Sequence, residues 1–398
     1  MQVLLIGNHR SSNPGNTLLT TGTKALLDSS FISSRITSYK YLDLSDYSFG
    51  SISNEALIDA INSSDLAVLC GSIIFNGQIH YGATGCRLNL PAELISQIKR
   101  PFLFYGVSSR IWSFQDYSHG DKLPQFFESL AANANISFRF RDDASSFAIR
   151  ALIQFCTGLD YVYPNENYCK DVPDPALHAL YDKNYFFNFC SESMPTSLVI
   201  NINGEDGNQR FHSSRSKFSM AELIDVIAEH IKETESYQRI VLQPHGPADL
   251  VPLSTLVEQL PAKTVHQRLE FGPLPKPSCH MNMYKSVYAD PNNVVISMRI
   301  HSINAALSLG LRTLPIASSS RISAMLERQT PSIPTIRFGD HLSTDRISKA
   351  LDIYADKSRC ESMSASIAEL IEVSQNSFNS SLLEILPDFF NTGSCQES

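Results

Sequence analysis

The sequence predicts an α/β protein made of two doubly wound domains, and three observations carry that prediction. Short apolar runs of strand length recur along the chain, the first of them, QVLLIG, apolar on both faces as a strand of a buried parallel sheet is. Each run gives way to a loop of turn formers and then to helical periodicity. A chain of 398 residues also exceeds one ordinary core. An aromatic-rich, weakly periodic stretch, YDKNYFFNFCSES at residues 181–193, interrupts the rhythm and sets domains of residues 1–185 and 194–398.

In the first half, residues 2–7 (QVLLIG) read as a first strand, followed by the polar loop NHRSSNPGN and a helix over residues 17–27. Further strands are expected at residues 36–41, 65–71, 102–107 and 136–141, with helices at 54–62 and from Ala144 onward. Asp142 or Asp143 is the expected N-cap of that last helix. Trp112, Phe114 and Tyr117 could stack on a sugar face, although loop aromatics more often serve packing.

The second half restarts with TSLVININ at residues 196–203. The following loop, residues 204–217, gathers Arg210, His212, Arg215 and Lys217 in an otherwise acidic chain. A helix over 219–232 leads to a strand at 239–245 that ends in His245, and the stiff loop PHGPAD follows. Helices at 250–260 and 281–286 flank a strand near 268–271. Val294, Val295 and Ile296 form a strand after an Asp-Pro turn, Ala305 to Leu309 recur at helical spacing, and Gly310 closes the helix. A strand at 313–317, a helix at 320–328, a short strand at 335–338 and helices at 344–354 and 362–374 complete the domain. An apolar stripe in the tail at 380–390 is expected to pack back on a domain.

Composition narrows the function. Hydrophobic content of 43% with 18% charged residues is that of a globular protein. A formal net charge of −8 excludes nucleic acid as the main partner, because phosphate backbones require a basic surface. No apolar run reaches membrane-spanning length, and the apolar first residues are too short for a signal peptide. The eight cysteines show neither C-x-x-C pairing nor metal-ligand spacing, which suits reduced thiols in a cytoplasmic protein. There is no G-x-G-x-x-G, no G-x-x-x-x-G-K-S/T and no G-x-S-x-G, against dinucleotide oxidoreductase, P-loop ATPase and serine hydrolase functions.

Arg299 and His301 stand where the strand at 294–296 meets its helix. Ligands bind at such junctions, beyond the carboxyl ends of parallel strands. A guanidinium, an imidazole and a helix N-terminus meeting there would make an anion site. The string SMRIHSINAALSLG, residues 297–310, resembles the C-terminal signature of the polysaccharide pyruvyl transferase family, with its Arg-(Leu/Ile)-His triplet. Weaker likenesses run through residues 1 to about 320: Asn13, Gly15 and Asn16 against an N-x-G-D segment, Arg141 to Ser145 against R-D-x-x-S, the turn Asp174 to Leu177, and His245 followed by Asp249. The resemblance implies a GT-B-like fold of two Rossmann-like domains facing a central cleft, with the acceptor on the N-terminal side and the donor on the C-terminal side.

It further implies phosphoenolpyruvate as donor, a pyruvate ketal on a sugar as product, and no cofactor or metal. The acceptor would be a sugar of a glycan or polysaccharide precursor, lipid-linked or free, handled in the cytoplasm or peripherally at the membrane. Arg299 is expected to clamp the donor's anionic groups, with Arg210 or Arg215 beside it, since the planar guanidinium fork matches a carboxylate or phosphate. His301 is assigned as the general acid that protonates the enol carbon. Ile300 would meet the donor through its backbone N–H, and His245 would hold the phosphate or assist proton transfer. Asn16 replaces the expected Asp; its amide can hydrogen-bond an acceptor hydroxyl but cannot serve as a base. Two other functions stay open: a nucleotide-sugar glycosyltransferase using the same cleft, and a catalytically silent carbohydrate-binding relative.

Overall fold

The computed structural model describes residues 1–11, 13–48, 50–77, 83–111, 117, 119–187, 189, 196–205, 217–274, 276, 279–329, 332–337 and 339–387. The chain divides into two compact units, one comprising Met1–Arg10, Leu19–His178 and Ile371–Ser398, the other Ser11–Leu18 and Ala179–Leu370. The units therefore exchange segments relative to the expected ranges 1–185 and 194–398. The segment at 11–18 belongs with the second unit, and the chain end belongs with the first.

In the first unit the strands are β1 (Gln2–Gly7), β2 (Ser38–Asp43), β3 (Leu66–Cys70), β4 (Ile73–Asn76), β5 (Phe102–Arg110) and β6 (Ile136–Phe140). All pair in parallel in the order β2-β1-β3-β5-β6, with β4 carrying on beside β5 where β3 stops. The two-residue period of a strand separates two cores. Leu4, Ile6, Ala67, Leu69, Phe104 and Phe138 face one, while Val3, Leu5, Leu66, Val68, Leu103 and Tyr105 face the other. The helices of this half are α1 (Pro14–Asp28), α2 (Leu44–Ser48), α3 (Asn54–Asn62), α4 (Ala92–Ile95), α5 (Leu123–Ala131) and α6 (Ser145–Thr157).

One expectation changes here. Helix α6 is capped neither by Asp142 nor by Asp143. Its N-cap is Ala144, held in the left-handed region at φ 63°. Asp143 instead accepts bonds from the hydroxyls of Ser108 and Ser145. The buried Arg141 binds Asp174 at 2.7 Å and lies 3.4 Å from Asp143, so these three side chains form a buried knot at this sheet's carboxyl end.

The second unit holds β7 (Ser197–Asn201), β8 (Arg239–Leu242), β9 (Leu269–Phe271), β10 (Asn293–Ser297) and β11 (Arg312–Pro315), all parallel in the order β11-β10-β7-β8-β9. In chain order this is 5-4-1-2-3, the Rossmann half whose direction of winding reverses between β7 and β10. Its helices are α7 (Met220–Glu233), α8 (Leu250–Gln259), α9 (Ala262–Arg268), α10 (His280–Tyr288), α11 (Ile300–Ser308), α12 (Ser320–Gln329), α13 (Thr344–Asp352) and α14 (Lys357–Ile385). A reciprocal capping box starts α7, with Glu222 N–H donating to Ser219 Oγ and Ser219 N–H to Glu222 Oε2. Of the strand expected at 335–338, the described residues 335–337 show one bridge, between Ile316 and Ile336, and Phe338 lies outside the described residues.

The helix expected at 362–374 and the start of the apolar tail expected at 380–390 lie in one 29-residue helix, α14, while residues 388–390 lie outside the described residues. Neither Gly nor Pro interrupts residues 357–385, and Pro387 follows the end, so nothing in the sequence stops it earlier. Its last turns supply Phe378, Leu382 and Ile385, and Leu386 just after it adds to them, in the second core of the first unit. Glu384 binds Arg139 and accepts from Ser137 Oγ at 2.8 Å. No helix among the described residues is long and apolar enough to cross a membrane.

Candidate functional site

The second unit's reversal point sets the site. Crevices open where neighbouring connections leave a sheet in opposite directions, here past the ends of β7 and β10. The two strand ends are tied together. Asn201 at the end of β7 donates from Nδ2 to the carbonyl of Gln243 after β8 at 2.8 Å, and its Oδ1 accepts from Ser297 Oγ at 3.0 Å. Ser297 Oγ also accepts the N–H of Arg299 at 3.1 Å. The loops after β7, β8 and β10 are thus locked before any charged group is considered.

Arg299 and Asp249 form the centre. The guanidinium donates through Nε and Nη2 to the two oxygens of Asp249, at 3.1 and 2.5 Å, the bidentate geometry that Arg alone can offer. Asp249 accepts in addition the backbone N–H groups of Gly204 at 2.9 Å and His245 at 2.8 Å. One buried carboxylate therefore fixes three loops. Nη1 of Arg299 reaches Glu205 at 3.3 Å. Burial works against the guanidinium's charge, but Glu205 and Asp249 more than offset it and the proton is held more tightly than usual.

Arg299 is the residue expected to clamp the donor's anionic groups. The structure gives it two carboxylate partners, and the bidentate one is buried. The Glu205 carboxylate is partly exposed, whereas Asp249 is fully buried.

Histidines surround this pair. His245 lies at the end of the β8 loop and is buried. Burial first, then the charge of Arg299 and the neighbouring His301 and His280, push its imidazole well below the ordinary value. It stays neutral at physiological pH, with the Tyr284 hydroxyl 3.5 Å from Nδ1 and the Tyr284 ring packed edge-on at 5.5 Å. His280, at the start of α10, is also lowered by burial, and its Nδ1 lies 2.6 Å from Thr17 Oγ1. His301 is the second residue of α11 and is half-buried.

Segment 11–18 closes the site from within the same unit. The Gly15 position explains itself: a Cβ there would sit 2.3 Å from Cδ2 of His301, so only glycine lets the backbone lie against the imidazole. Asn13 Oδ1 accepts the Gly15 N–H at 3.0 Å, an Asx turn that launches α1, and the Asn16 N–H donates to the Asn13 carbonyl at 3.2 Å. Asn16 is thereby the residue next to the His301 contact.

At the α11 start, Arg299 is the N-cap and gives no side-chain cap. The first bond of the helix runs from the Ile303 N–H to the Arg299 carbonyl. The earlier N–H groups, those of Ile300 and His301 among them, stand at the positive end of the helix dipole.

Among the sequence-chosen residues, Arg299, Ile300, His301, His245 and Asn16 fall together in the second unit. Arg210 and Arg215, like Trp112 and Phe114, lie outside the described residues. Tyr117 is buried, with its hydroxyl bonded to the Gly85 carbonyl, which makes it a packing residue. Glu205, His280 and Tyr284 were not foreseen. Glu205 had a signal, since it stands just past a strand's carboxyl end; His280 and Tyr284 had none. No group of three or more His, Cys, Asp or Glu among the described residues is arranged to hold a metal ion.

No family model matches the chain, and no curated protein matches it. Solved structures do. A Listeria monocytogenes protein assigned as a UDP-N-acetylglucosamine 2-epimerase is 12% identical, with 100% of this chain and 99% of that one covered, at a TM-score of 0.51. An α,α-trehalose-phosphate synthase (UDP-forming) from Burkholderia vietnamiensis is 8% identical, with 99% and 98% covered, at a TM-score of 0.53. At these identities the likeness is one of fold: the chain has the GT-B fold of two Rossmann-like α/β domains.

Proposed function

We propose that the protein is a ketal-forming pyruvyl transferase that moves the enolpyruvyl group of phosphoenolpyruvate onto a sugar. The observation that carries this is the placing of Arg299, Ile300 and His301 at the reversal point of a Rossmann half, with His301 against Gly15 and beside Asn16. The two structures of the same fold are named for UDP-N-acetylglucosamine and trehalose-phosphate chemistry, which supports a sugar as the second substrate.

Each group then has a task. The donor's carboxylate and phosphate need positive potential, and the N-terminus of α11 provides it through the Ile300 and His301 N–H groups. Arg299 adds charge from the Nη1 side, where the partly exposed Glu205 must yield to the incoming anion. Arg210 and Arg215 are the further basic residues assigned to the donor. His301 gives a proton to the methylene carbon C3, and positive charge develops at C2. One sugar hydroxyl adds to C2 and a second displaces phosphate from it, closing the ketal. Of the two hydroxyl protons, one replaces that given to C3 and the other leaves with inorganic phosphate. His245, buried and neutral, serves as a hydrogen-bonding partner for the phosphate rather than as a cation. Asn16 holds an acceptor hydroxyl through its amide.

Turnover in D2O tests the proton transfer. With phosphoenolpyruvate and an acceptor glycan, the ketal methyl group should gain one deuterium in the wild type, and His301→Ala should form no ketal while still binding donor. Ketal formation that survives in His301→Ala removes His301 from the role of acid.

A further inference from the structure

We infer that the outer face of α6 is the interface through which two copies of this chain form a two-fold dimer. The sequence of α6, SSFAIRALIQFCT, has two apolar sides where a surface helix has one. Ile149 and Ile153 fill the core of the first unit. On the opposite side Phe147, Ala151 and Phe155 recur at i, i+4 and i+8, and Leu159 and Val162 extend the line beyond the Gly158 cap. Phe147 is 69% exposed, Phe155 88%, Leu159 69% and Val162 75%. Single exposed apolar residues are ordinary; five in register on one helix and its extension are a surface.

Area and charge choose the occupant. At ~150–250 Å² per aromatic side chain, the two phenyl rings leave roughly 300 Å² of apolar surface in water. With Leu159 and Val162 the stripe reaches about 500 Å², within the range of the largest, commonly functional, patches of monomers. A two-fold copy seated on it would bury about 1,000 Å² from these side chains alone, the threshold for a specific interface.

A membrane would select a helix whose polar side is rich in Lys and Arg, but α6 carries a single charged residue, Arg150. Beside Arg150 stands Asp160, in a loose contact of 4.0 Å with both side chains well exposed. A surface bearing one cation and one anion is self-complementary, as a two-fold interface requires. In the dimer each Arg150 pairs with the partner's Asp160.

Sedimentation velocity on the full chain, across a micromolar concentration series, tests this. The wild type should show a concentration-dependent dimer, and Phe155→Glu should raise the dissociation constant at least about tenfold with an unchanged thermal melt. Arg150→Asp should weaken the dimer, and Arg150→Asp with Asp160→Arg should restore it. A monomer at every concentration overturns the inference, as does a dimer indifferent to Phe155→Glu. Phe155-dependent binding to phosphatidylglycerol vesicles by a monomeric protein would also overturn it, in favour of a lipid surface.

Discussion

Replacing Asp249 by Asn changes no volume, yet it should be among the most damaging substitutions in the second unit. The carboxylate accepts from Arg299 Nε and Nη2 and from the N–H groups of Gly204 and His245. The amide keeps one acceptor oxygen and turns an NH2 toward donors. Breaking a buried ion pair from one side costs about 3–5 kcal/mol, because the surviving charge stays buried. Glu205 at 3.3 Å relieves part of that, and a stranded backbone N–H adds back about 1–3 kcal/mol. The net expectation is ~3–5 kcal/mol, or roughly 6–20 °C in melting temperature for a unit of this size. Differential scanning calorimetry reads it directly. The double change Asp249→Leu with Arg299→Met should be milder than the sum of its parts, since it removes both charges together. A loss below about 1 kcal/mol in Asp249→Asn would refute the view that this carboxylate holds the three loops together.

Other perturbations discriminate between parts of the structure. Gly15→Ala drives a Cβ into the His301 ring, so turnover should fall by about tenfold or more with a melting temperature little changed, as for misplacement of a catalytic group. Gly22→Ala would set a Cβ 1.8 Å from the Pro175 carbonyl oxygen, and it should lower the melting temperature of the first unit by several degrees, at about 1–3 kcal/mol of overpacking. Burial pushes His178 and His230 down to about 4, and His245 lies well below its ordinary value. The unfolded chain therefore binds more protons than the native one below pH ~6.5, and stability should fall from there toward pH ~4. His178→Leu should flatten that acid limb in urea titrations at stepped pH.

The central strands of the parallel sheets were legible because they are buried on both faces. Val294-Val295-Ile296 and Leu66 to Cys70 have no polar side to disguise them. The junction of β10 with α11 was legible for the same reason, and with it Arg299 and His301. Strand β4 was not: it is four residues long and is separated from β3 by two residues, Gly71 and Ser72, with the φ of 57° at Gly71 turning the chain between them. The apolar stripe of the tail showed that the chain end packs back, but not on which unit, and the placing of segment 11–18 with the second unit was hidden, because membership follows from packing partners far away in sequence. Asp249 was visible as an acid after His245, but its pairing with Arg299 spans 50 residues and appears only once β8 and β10 flank β7. Ala144 in a left-handed conformation defeated an N-cap rule that two neighbouring aspartates otherwise satisfied.

The central claim is the identity of the donor, and a thermal-shift titration with phosphoenolpyruvate beside UDP- and GDP-sugars tests it most directly. A ligand that binds only the native state raises its apparent stability by RT ln(1 + [L]/Kd), so no acceptor need be known. Stabilisation by phosphoenolpyruvate alone, weakened in Arg299→Lys, is the predicted result. Stabilisation by a nucleotide sugar, with none from phosphoenolpyruvate, would contradict it and make the protein a sugar-nucleotide enzyme of the same fold.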